Sequence, residues 1–169
     1  MAVSIAGRKV SQRSRLAIDW WRRAAALAVA LAVATPAFAS LGGSVKSVER
    51  DRAQMSAQEN VAHGPSYDIH EMRAPYGTVV DEYVSSGGTV FAVTWRGQFP
   101  PRMQQILGSY FQEYSDALAA RQPQGYGHHP LNIQEPGLVV QTFGHMGAYY
   151  GRAYLPDKMP AGVEADQIR

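Results

Sequence analysis

Apolar and polar positions alternate most clearly where Phe91, Val93 and Trp95 interleave with Ala92, Thr94 and Arg96, the period of a strand with one buried face. The run 78–84 before it, rich in β-branched and aromatic residues, and the Ser85-Ser86-Gly87-Gly88 turn predict an antiparallel hairpin. After Pro100 and Pro101 the period changes. Met103, Leu107, Tyr110, Tyr114 and Ala117 form one stripe, widened by Ile106, Phe111 and Leu118, with Gln105, Ser109, Gln112, Glu113 and Asp116 opposite. This predicts one amphipathic helix that starts at the prolines and ends near Pro123.

Further strands are predicted at 67–73, 138–143 and 148–155, the last two joined across Gly144-His145-Met146-Gly147. A thin stripe of Val45, Val48 and Met55 predicts a short surface helix within 44–57. Polar residues 58–65 and the Pro/Gly-punctuated stretch 122–137 read as loops, and 156–169 as an extended tail. The plan is α+β: an antiparallel sheet of about five strands, built as a three-stranded meander, a helix and a hairpin, with the helix packed on one face. The expected core is Phe91, Val93, Trp95, Leu107, Tyr110 and Tyr114.

The amino-terminal 39 residues fit none of this. They carry a basic stretch (Arg8, Lys9, Arg13, Arg15, Arg22, Arg23), an apolar stretch from 24 to 34, and Ala37-Phe38-Ala39 before Ser40, the three parts of a secretory signal cleaved after Ala39. The apolar run is shorter than the ~20 residues needed to cross a bilayer, so no stable membrane anchor is expected after cleavage. The domain plan is then a signal at 1–39, a short helix and loop at 40–66, the core domain at 67–155 and the tail at 156–169. A periplasmic or secreted protein follows.

Removing the leader also changes the charge. The chain has 16 basic and 14 acidic residues. Six and one of these lie before Ser40, which leaves ten and thirteen, a net charge of −3. The basic pI of the whole chain therefore belongs to the leader, and a nucleic-acid partner is not expected. With no cysteine there is no disulfide framework, thiol nucleophile or thiolate metal site.

The exported part resembles the secreted proteobacterial domain-of-unknown-function family 2844. The likeness rests on Leu41-Gly42-Gly43, Tyr67-x-Ile69-His70-Glu71, Val90-Phe91-Ala92-Val93-x-Trp95-Arg96-Gly97, Leu107-Gly108-x-Tyr110-Phe111, Gly144-His145-Met146, Gly151-Arg152-Ala153-Tyr154-Leu155-Pro156 and Pro160-Ala161-Gly162-Val163. It spans nearly the whole exported part. It implies export and a shared compact fold, and brings no catalytic residue with it.

Local chemistry is sparse. No HExxH, GxSxG, phosphate-loop or dinucleotide pattern is present, and no cofactor is expected. Asp81 and Glu82 are neighbours on a strand, so they face opposite sides and cannot act together on one bond. A metal-dependent or hydrolytic enzyme would have to assemble its site around His70, Glu71 and His145, with His128 and His129 as further ligands. The favoured reading is a non-catalytic module that binds an envelope protein or another envelope component. Two surfaces serve it: the strand face of Tyr150, Arg152 and Tyr154, and the loop with Tyr126, His128 and His129.

Overall fold

A computed structural model of the chain describes residues 41–121 and 130–169. The leader and cleavage site, and with them Tyr126, His128 and His129, lie outside the described residues. Helix α1 (Val45–Met55) is followed by β1 (Gln58–His63), β2 (Tyr67–Arg73), β3 (Val79–Ser85) and β4 (Val90–Gly97). Two short helical pieces come next, α2 (Met103–Leu107) and α3 (Phe111–Ala120), then β5 (Leu131–Glu135), β6 (Leu138–His145) and β7 (Ala148–Tyr154). All neighbouring strands are antiparallel, in the order β1-β2-β3-β4-β7-β6-β5.

The α+β plan and the five predicted strands are present, but the sheet has seven. Both additions lie in stretches whose residue pattern predicts loop. β1 is almost wholly exposed and polar, so it has no apolar alternation to betray it, and β5 is a short edge strand with only Ile133 buried. The predicted single helix is interrupted at Gly108, whose φ of +51° ends α2 and starts a 3₁₀ turn before α3. The helix proper begins after the prolines, and Leu118, expected on the stripe, is exposed.

The helices cover one face of the sheet. Val48 of α1 and Ile106, Leu107 and Tyr114 share a core with Met72, Val80, Val93, Trp95, Val140 and Ala153, and Tyr110 packs against it half-buried. Gly42, at φ +82°, lies beneath the Tyr110 ring: a Cβ there would stand 2.7 Å from it. Gly151 plays the same part for Trp95, its directly paired residue across β4 and β7. A Cβ at 151 would come within 2.5 Å of the indole, so the small residue admits Trp95.

The opposite face has its own core of Tyr83, Phe91, Ala92 and Ile168. Phe91 is expected on the Trp95 side and is not there. The register slips between Tyr83, which pairs with Ala92, and Val84, which pairs with Val90, leaving Phe91 as an extra residue of a β-bulge. Past that slip the alternation changes phase, and the Phe91 ring joins Tyr67 and Tyr83 at centroid distances of 5.7 and 6.2 Å. The tail is not simply extended either. It makes 3₁₀ turns at Pro156–Lys158 and Ala165–Gln167 and folds back until Ile168 is fully buried over this second core.

Trp95→Ala should therefore cost about 3 to 5 kcal/mol, because it empties the helix-side core at the β4–β7 seam. Urea denaturation measures it, and an unchanged midpoint would show that the indole does not hold the seam.

Candidate functional site

The open face of the sheet carries a row of side chains in register: Glu71, Asp81, Thr94, Arg152, Gln141 and Asn132 follow one another from β2 to β5. Its first half is a charge network, in which Asp81 Oδ1 is buried without a partner. Arg96 reaches Asp81 Oδ2 at 2.8 Å and Glu71 Oε2 at 3.0 Å, Arg73 reaches Glu71 Oε1 at 2.8 Å, and Thr94 donates to Asp81 at 3.2 Å. Two guanidinium groups balance two carboxylates.

The second half has one cation. Arg152 donates through Nε to Gln141 Oε1 at 2.7 Å and through Nη1 to the backbone oxygens of Ala165 and Ile168, the latter at 3.0 Å. It lies 5.9 Å from the Tyr154 ring centroid. All these partners are neutral, and among the described residues no carboxylate pairs with it. Beside Arg152, Phe143 and Tyr150 stack at 5.6 Å and 22°, and both are exposed. These side chains, with Thr94, Arg96, Gly151 and Ile168, line a cleft of about 500 Å³ whose walls are mostly apolar.

The sequence-predicted surface is thus divided. Tyr150 is exposed, whereas Arg152 and Tyr154 are half-buried and hold the tail: Arg152 through its carbonyl partners, Tyr154 by packing on the second core. Thr94, Phe143 and Ile168 were missed. Phe143 was within reach, because the 144–147 turn places 143 opposite 150, but Ile168 arrives only through the folded-back tail.

The predicted cluster of His70, Glu71 and His145 does not assemble. His70 faces the helices and Glu71 the open side, as strand neighbours must. His145 ends β6, four strand positions from β2, a separation of roughly 19 Å at ordinary strand spacing. His70 Nδ1 instead meets Glu59 Oε1 at 2.7 Å, and among the described residues no group of three or more metal-ligating His, Asp or Glu side chains forms.

The helix side holds a feature the sequence did not disclose. Glu82 of β3 and Asp51 of α1 are both buried and hydrogen-bond to each other, with the Gln105 amide beside Asp51 although the stripe placed it on the solvent side. Burial pushes the Asp51 carboxyl up to about 6, partly offset by the bonds from Glu82 and Gln105. Burial and then the Asp51 charge raise Glu82 well above the usual carboxylate range. Asp51 Oδ1 and Glu82 Oε2 are buried without a hydrogen-bond partner, and a proton on the pair is what makes their burial tolerable. Neither residue lines the open-face cleft or the two smaller ones, beside the tail and beside the prolines.

A family model described as protein of unknown function (DUF2844) matches residues 37–168. The chain belongs to the DUF2844 family. No curated protein and no solved structure matches it. The DUF2844 match covers every element from α1 to the tail turn at Ala165–Gln167, so both faces of the sheet lie inside the family domain.

The acid pair makes a signed prediction. Folding raises both pKa values, so the folded chain binds the protons more tightly than the unfolded one, and stability falls as pH rises from about 4 through about 6 and beyond. In urea melts from acid to neutral pH, Asp51→Asn/Glu82→Gln should gain stability relative to wild type as pH rises. A difference that stays constant with pH would show that the pair is ionised in the folded protein.

Proposed function

We propose that this DUF2844 protein is a non-catalytic binding module that acts after export, in the cell envelope, through the open-face cleft. The observation that carries the reading is the exposed Phe143–Tyr150 stack beside Arg152, within a cleft of about 500 Å³, the size of an ordinary small-molecule site. Exposed aromatic rings beside a guanidinium are costly to leave in water and suited to recognition. The leader-like sequence of residues 1–39 supports export.

An enzyme would need its shifted acids to meet a substrate. Asp51 and Glu82 are the strongly shifted carboxyls, and both sit under α1, on the other face of the sheet from the cleft. That arrangement favours binding over hydrolysis.

Tyr150→Ala tests the reading, because this side chain is exposed and, among the described residues, its ring stacks only on Phe143. The variant should keep the wild-type melting temperature and lose retention of the envelope component that the wild-type protein retains from envelope extracts. Equal retention by both proteins would remove the cleft from the function. Arg152→Ala is the less clean choice, since it also releases the tail.

A further inference from the structure

We infer that the open-face cleft is a site for a small organic monoanion, a carboxylate carried on an apolar ring, with Arg152 as the anion-binding residue and the Phe143–Tyr150 stack as the platform for the ring. The inference rests on the cleft reading above and adds the chemistry of its occupant.

Charge comes first. On the open face Arg73 and Arg96 are matched by Glu71 and Asp81 through contacts of 2.8 to 3.0 Å, so that network attracts no further anion. Arg152 differs. It is half-buried, its partners are two backbone oxygens and the Gln141 side chain, and both Nη2 hydrogens are unclaimed among the described residues. A guanidinium never gives up its proton, so this positive charge persists at every physiological pH. A charge withdrawn from water without a counter-charge favours an anion, and charge-assisted N–H···O bonds are about twice as strong as neutral ones. One uncompensated cation calls for one negative charge. The remaining arginine at the rim, Arg169, is exposed, and water screens it.

Shape and polarity come second. Apart from the arginines and Thr94, the cleft is walled by Phe143, Tyr150 and Ile168, with Gly151 and the buried Trp95 at the strand seam beneath. A hydrated inorganic ion would leave these walls wet. A flat apolar body covers them, and aromatic pairs in offset or edge-to-face geometry add attraction beyond the area buried. The tail is part of the site: Ile168 forms one wall, and its backbone oxygen, with that of Ala165, holds Nη1 so that the guanidinium is positioned before any ligand arrives.

The test titrates the full chain with sodium benzoate, benzamide and phenyl phosphate, following backbone amide shifts by NMR. Benzoate should shift residues 94, 151, 152 and 168 and bind about ten-fold tighter than benzamide, which has the same ring without the charge. Tyr150→Ala and Phe143→Ala should each weaken benzoate without lowering the melting temperature, and Arg152→Gln should bring benzoate down to the benzamide level. Equal affinity for benzoate and benzamide, or benzoate shifts away from these residues, overturns the inference, as does tighter binding of phenyl phosphate, which would mark a dianion site. If benzoate fails while Tyr150→Ala still abolishes retention of an envelope component, the monoanion assignment falls and the binding module stands. If Tyr150→Ala changes neither, both fall.

Discussion

The contact on which the rest of the sheet depends is the one between Trp95 and Gly151. β4 and β7 are the seam between the β1–β4 meander and the β5–β7 group, and no other strand pair joins them. A bulky residue at 151 would push the indole off β7 and collide with the Gln141 backbone oxygen on the other side, 2.5 Å from a Cβ. The same seam positions the cleft, because Thr94, Trp95, Gly151 and Arg152 are successive neighbours along and across it.

The open face is finished by the tail. Without it, Tyr83, Phe91 and Tyr154 would present a broad aromatic surface to water, which single-domain proteins seldom leave uncovered. Ile168 and the half-buried Met159 and Val163 cover that surface. The tail is then fixed by polar contacts at its end: Tyr83 Oη donates to the Arg169 oxygen at 2.8 Å, and Arg152 holds the Ala165 and Ile168 carbonyls. One arginine thus orders the tail and lines the cleft beside it, which couples the two.

The architecture was legible wherever apolar residues repeat with a period. The five strands and α1 follow from such repeats, and Val93, Trp95, Leu107 and Tyr114 are core residues as their spacing requires. What escaped has a physical reason in each case. β1 and β5 are edge strands held by backbone hydrogen bonds, which leave no mark on side-chain pattern. Phe91 changes face because a bulge inserts one residue, and a period-two reading has no means of seeing an insertion. Glu82 looks like an ordinary polar position of β3 until α1 brings Asp51 over it. Of the site, Tyr150 and Arg152 could be named from strand alternation, but their setting needed the tail to come back over the sheet.

The two faces handle buried charge in opposite ways, and this separates their roles. On the helix side, Asp51 and Glu82 are tolerated because a proton can be shared. On the open side the cation cannot shed its charge, so the fold offers Arg152 carbonyl dipoles and an aromatic ring instead of a counter-ion. Dipoles lower the cost of a half-buried guanidinium without neutralising it. A carboxylate supplied by the protein would have made that corner more stable and closed it to anions. Among the described residues none pairs with Arg152, which stands next to two aromatic rings left in water.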